Sequence, residues 1–148
     1  MKASENAVNL IKRFEGCRRS PYRDAGGLWT IGYGHLIGDG KSLPANINRD
    51  FTEEEINALL IEDIARFERG LNMCLVVPLT QNQFDACISW VFNLGIAEFK
   101  KYIAPMINGD DDSEEVVAEM IKFDHVGPKE LAGLKARREA EKELYLKD

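Results

Sequence analysis

Histidine, cysteine and proline are scarce in this 148-residue chain, with two, three and five copies. Cys17, Cys74 and Cys87 are an odd number without a CxxC pair. Neither a complete disulfide framework nor a thiolate metal cluster is written here, and the expectation is reduced thiols packed as small hydrophobes. The acidic run Asp110–Asp112 with Glu114 and Glu115 lacks the calcium-loop spacing. No metal and no cofactor is expected. Positive charge is in deficit: 19 Lys and Arg against 25 Asp and Glu leave −6. That excludes non-specific nucleic-acid binding and a polybasic membrane anchor. No apolar run approaches the roughly 20 residues of a membrane span. Residues 1–6 lack the apolar stretch of a secretory signal. The reading is a chain made in a reducing cytoplasm, with no membrane anchor of its own.

What is present is globular: 45% hydrophobic and 30% charged residues, without repeats or low-complexity linkers. A chain of this size buries about 68–70% of its unfolded surface, enough for one real core.

The chain changes character along its length. Ala7, Leu10, Ile11 and Phe14 form a one-sided helical stripe after Ser4, and Gly16 stops it. From Cys17 to Leu36 glycines and aromatics dominate. Asp24-Ala25-Gly26-Gly27 reads as a hairpin turn, and Trp29, Ile31 and Tyr33 alternate with Thr30, Gly32 and Gly34. Two or three antiparallel strands are expected. After Phe51, Thr52-Glu53-Glu54-Glu55 opens a long helix as a capping box, with Phe51 as the staple partner. Thr80-Gln81-Asn82-Gln83 is a second box, leading a helix with Phe84, Cys87, Ile88 and Val91 inward. A short helix is expected over about Phe99–Met106, another after Asp112, and a last one at or after Pro128.

The predicted fold is therefore α+β, mainly α. A small N-terminal β lobe, roughly 15–50, and a larger helical lobe, roughly 52–148 with helix 4–14 packed on it, are joined by a long helix within one domain. Clefts between lobes are favoured ligand sites.

Two carboxyls stand out. Glu15 closes a helix beside glycine-rich strands, at the dipole end that disfavours an anion. Asp24 sits at a hairpin turn nine residues later, and Thr30 lies on the strand face of Gly32 and Gly34. Two carboxyls in unlike surroundings suit general acid and general base work, as at a glycosidic bond. The plainer reading is a solvated helix end and an Asp that forms a turn.

The runs Phe14-Glu15-Gly16, Pro21-Tyr22-Arg23-Asp24 and Trp29-Thr30-Ile31-Gly32-Tyr33-Gly34-His35 closely resemble the catalytic region of phage-type lysozymes, glycoside hydrolase family 24. Leu79–Ala86, Phe92-Asn93-Leu94-Gly95 and Gly133-Leu134 with Arg137–Glu141 resemble the same family, in its order. The resemblance implies a lysozyme-like fold and a muramidase that cuts peptidoglycan between N-acetylmuramic acid and N-acetylglucosamine with inversion. It implies that Glu15 is the general acid, that Asp24 supports the developing cation or directs water, and that Thr30 holds the water. Inversion requires carboxyls about 6.5–9.5 Å apart. Leu36 and Phe92 match cleft-lining positions. His35 matches a residue paired with an Asp, here Asp63, and Arg137 or Arg138 matches a brace near the acid. Left to themselves, Arg137, Arg138 and their glutamates read as surface pairing. The resemblance also implies a monomer that reaches the wall with the help of a holin. The chain departs from the family at Lys100-Lys101-Tyr102 and at 123–128. Other readings are a non-catalytic wall-binding module and a chitin-type hydrolase on the same fold.

Overall fold

The structure, a computed structural model, describes residues 1–126 and 129–148. In chain order the elements are α1 (Glu5–Glu15), β1 (Arg18–Arg23), β2 (Trp29–Gly32), β3 (His35–Leu36), α2 (Glu53–Cys74), α3 (Gln81–Leu94), α4 (Ile96–Tyr102), α5 (Ala104–Asn108), α6 (Ser113–Met120), β4 (His125–Val126), β5 (Lys129–Glu130) and α7 (Ala132–Leu146). Two compact units emerge: a β unit, Glu15–Ile64, and a helical unit, Met1–Phe14 with Ala65–Asp148. The division falls within α2, so the first half of that helix groups with the sheet rather than with the helices.

In the β unit, β1, β2 and β3 form an antiparallel sheet in that order. The Asp24–Leu28 segment closes the first hairpin. Tyr22 pairs with Thr30, Thr30 with Leu36, and Ile31 with His35. Because side chains alternate, Tyr22, Thr30 and Leu36 form one row and Ile31 and His35 face the other way. Ile31 packs with Phe51 and Ile56 into a small core. The capping box forms as expected: Glu55 N donates to Thr52 Oγ1 at 3.1 Å, and Thr52 N to Glu55 Oε1 at 3.0 Å. Phe51 and Ile56, flanking that box, meet as a hydrophobic staple. Ile56 is also why residue 32 is glycine: a Cβ there would lie 2.9 Å from Ile56 Cγ2.

In the helical unit, α3 is the spine, with every residue from Phe84 to Val91 buried. Its Thr80–Gln83 capping box is complete. Trp90 is fully enclosed, edge-on to Phe99 and Phe123, and donates through Nε1 to Met120 O. The helix expected over Phe99–Met106 is instead two, α4 and α5, meeting at Ile103. Pro105 lacks the amide that would continue α4 and suits the first turn of a new helix. Between α6 and α7 the chain forms a short hairpin, β4 with β5, which the sequence pattern did not suggest. Pro128, expected to mark the start of the last helix, lies outside the described residues, and α7 begins at Ala132.

Two expectations need correction. Of the cysteines only Cys87 is buried, its thiol pushed up by desolvation; Cys74 is half-buried and Cys17 exposed. Cys17 escapes burial because it lies in the link between α1 and β1, outside either core. The second concerns Arg137, Arg138 and Glu141, which are buried rather than on the surface. Glu141 Oε2 accepts from Ser89 Oγ at 2.6 Å, and Glu141 Oε1 lies 2.7 Å from Arg138 Nε. Arg137 Nη2 donates to Ser89 O at 2.9 Å, and Arg138 Nη1 to Phe123 O at 3.2 Å. Polar groups of α3 and of the chain after α6 accept these charges, so this stripe of α7 faces inward.

Candidate active site

Glu15 is the last residue of α1 and is half-exposed. The turn between β2 and β3 closes on it. A Cβ at Gly34 would sit 3.2 Å from Glu15 Oε2, and Gly34 has φ +77°. Only glycine accepts that conformation without strain while letting the carboxyl come so near.

Asp24 lies at the far end of β1, exposed. Its Oδ1 accepts from the amides of Gly26 and Leu28, both at 2.9 Å. Its own amide donates to Leu28 O at 2.8 Å. The plainer reading of Asp24 as a turn former is therefore correct, and the same bonds fix the carboxylate on a rigid loop. Thr30 is buried, and its Oγ1 donates to Leu28 O at 2.9 Å. The hydroxyl proton is thus committed to the protein, which leaves the oxygen as an acceptor. Leu28 supplies both backbone groups that hold Asp24 and Thr30. A sequence reading passes over it because its side chain does none of this.

Tyr22 is a further member of this cluster that sequence reasoning missed as a site residue. It faces Thr30 across the strands. Its hydroxyl titrates above the ordinary tyrosine value, first through burial and then through the negative charge of Glu15, with Asp24 adding to it and Arg18 opposing. The Arg18 guanidinium lies 4.7 Å from the ring centre. Cys17 and Tyr33 also meet here: burial, then the charge of Cys17 and the hydrogen bond that Tyr33 donates to it, raise the Tyr33 hydroxyl. Tyr22 was visible only as part of a motif, since its partner depends on strand register.

The other expected positions divide between the units. His35 Nδ1 lies 2.8 Å from Asp63 Oδ2, the pair expected, and it ties β3 to α2. Leu36 is 42% exposed at the end of the Tyr22–Thr30 row. Phe92 belongs to the helical unit, half-buried with its ring 5.6 Å from Phe67. Arg137 also belongs there, in the buried cluster with Glu141 and Ser89. Trp29 carries Arg23 over its ring at 4.5 Å, and His125 pairs with the adjacent Asp124. Among the described residues no group of three or more His, Cys, Asp or Glu is placed to hold a metal ion.

Chemically, the β unit presents a carboxyl at a helix end, a carboxylate on a rigid turn, and a hydroxyl oxygen fixed as an acceptor. That set can donate a proton, stabilise a cation and orient a water.

Comparison with known proteins is consistent with this chemistry. The family model described as phage lysozyme matches residues 12–141. An endolysin of Acyrthosiphon pisum secondary endosymbiont phage 1 is 40% identical over 149 residues, spanning 98% of each chain. The muramidase domain of SpmX from Asticaccaulis excentricus superposes with a TM-score of 0.86 at 34% identity, covering 99% of both chains. The endolysin from Escherichia coli O157:H7 phage FAHEc1 has a TM-score of 0.83 at 32% identity, covering 99% of this chain and 94% of that one.

Proposed function

This chain belongs to the phage lysozyme family, and from that premise we propose how its residues cut the bacterial cell wall. It is a lysozyme-type enzyme, a peptidoglycan hydrolase that acts on the wall. Our reading takes residues 1–148 as one catalytic domain. The bond cleaved is the β-1,4 link between N-acetylmuramic acid and N-acetylglucosamine, with inversion.

Glu15 protonates the leaving glycosidic oxygen. Asp24 faces the positive charge that develops on the anomeric carbon and draws the attacking water toward it. Thr30 accepts a hydrogen bond from that water, which turns a lone pair of the water toward the carbon. No covalent glycosyl-enzyme is formed, because water is the nucleophile: it attacks the anomeric carbon from the side opposite the leaving group and gives its proton to the Asp24 carboxylate. The observation that carries this reading is the shared anchoring of Asp24 and Thr30 on the Leu28 backbone, in the same unit as Glu15. Rigid support is what an oriented water requires.

Leu36 and Phe92 are each proposed to contact the glycan, and Arg137 to act by bracing the helical unit. Action as a monomer, synthesis in the host cytoplasm and passage to the wall through a holin complete the proposal.

The test is turbidity loss of purified peptidoglycan by the protein beside Glu15→Gln. Clearing by the unaltered chain alone supports Glu15 as the acid, and an α-configured product supports inversion. Clearing by both moves the acid elsewhere. Clearing by neither, with both folded, favours a wall-binding module or a chitin-type substrate.

A further inference from the structure

Tyr22 is the polar side chain of the β unit that neither the turn nor the core accounts for. Its Cα pairs with Thr30 across β1 and β2. Asp24 follows two residues later, just past the end of β1, and its charge acts on the Tyr22 hydroxyl. Ring and hydroxyl are treated differently. The ring is held: it is half-buried, with the Arg18 guanidinium stacked 4.7 Å from its centre. The hydroxyl makes no hydrogen bond among the described residues. A phenol fixed by its ring and left without a protein partner, beside two carboxyls, is arranged for a ligand.

Given the glycan hydrolysis proposed above, we propose that Tyr22 is a further substrate-contacting residue, whose hydroxyl donates a hydrogen bond to an oxygen of the sugar at the cleavage point, with Arg18 holding the ring in place. The direction of donation follows from the surroundings. Burial moves the phenol further above its ordinary value whichever form Glu15 takes, so at neutral pH it meets a sugar oxygen as a donor. As an acceptor it would compete with Thr30, whose oxygen already has that role. A donor here also stays in place when Glu15 gives up its proton, so its contact is kept through the reaction.

The experiment is saturation kinetics on purified peptidoglycan for the unaltered protein, Tyr22→Phe and Arg18→Ala, with Glu15→Gln as the blank. Tyr22→Phe is expected to lose about 10- to 100-fold in kcat/KM with its thermal midpoint unchanged. Arg18→Ala is expected to lose less, because the ring keeps its strand partner. Site-specific 2,3-difluorotyrosine at position 22 keeps the donor but lowers its pKa. Its activity should match the unaltered protein at low pH and fall as the fluorophenol ionises. A Tyr22→Phe rate within twofold of the unaltered protein would overturn the proposal. So would a loss that tracks a lowered thermal midpoint, or a difluorotyrosine pH profile superposing on that of tyrosine. Failure of the unaltered protein itself to clear peptidoglycan would instead bring down the functional reading, and this one with it.

Discussion

The β unit and the helical unit use the same charged residues in opposite ways. In the helical unit, Glu141 is enclosed by Ser89, Arg137 and Arg138, and its oxygens are spoken for by the protein. In the β unit, Glu15 stands half-exposed beside a glycine turn, and Asp24 is exposed with both its amide bonds taken by Oδ1. The difference separates architecture from chemistry. A buried carboxylate that neutralises two guanidiniums stabilises one arrangement of helices and has no oxygen left for a substrate. A carboxylate such as Asp24, held by backbone amides yet exposed to solvent, costs little to keep charged and can face a substrate.

The comparison can be broken in several ways. The largest effect is expected from Glu15→Gln, with a loss of about 100- to 10,000-fold in clearing rate and an unchanged thermal midpoint. Asp24→Asn follows, since an amide oxygen still accepts from Gly26 and Leu28 while the charge is lost. A folded protein with a strongly reduced rate is expected, checked by circular dichroism beside the turbidity assay. Equal rates for Asp24→Asn and the unaltered chain would reduce Asp24 to a turn former.

On the other side, Arg138→Met should leave the rate per folded molecule intact and cost about 3–5 kcal/mol in urea unfolding, because Glu141 is left buried with less compensation. A loss below about 1 kcal/mol would mean that the enclosed cluster relaxes to admit water.

Gly34→Ala probes the boundary between the two behaviours. A side chain at φ +77° costs about 1–2 kcal/mol, and its Cβ would press on the Glu15 carboxyl. Activity should fall about 10-fold or more, further than stability alone accounts for. The smallest effect is expected from Glu55→Gln. The Arg49 guanidinium and the Thr52 amide hold the Glu55 carboxyl at about 2, below its ordinary value. A lowered folded value means the contribution is present above about pH 4.5 and is lost as pH falls toward 2. The difference in thermal midpoint between Glu55→Gln and the unaltered protein should therefore shrink on acidification. A difference that is constant from pH 6 to pH 2 would assign it to the cap alone.

Legibility in the sequence followed the range of the interactions. Both capping boxes, the Asp24 turn and the stops at Gly16 and Gly95 rest on residues within four positions of each other, and each forms where it was read. Glu15, Asp24 and Thr30 were singled out by spacing and resemblance. The break at Pro105 was local too, but the apolar pattern on either side outweighed it. The β4–β5 hairpin had no such pattern to announce it.

By itself the sequence determined the helices and their caps, the hairpin turn, the small β region and the residue types available for acid–base chemistry, because neighbours along a chain interact whatever the rest does. Only the tertiary structure decided that Arg137, Arg138 and Glu141 turn inward, that Cys17 stays out, and that Tyr22 stands opposite Thr30. Those outcomes depend on which distant surface each side chain meets. A helical stripe of Arg and Glu reads the same toward water as toward Ser89, and a strand's register is fixed only when its partner arrives.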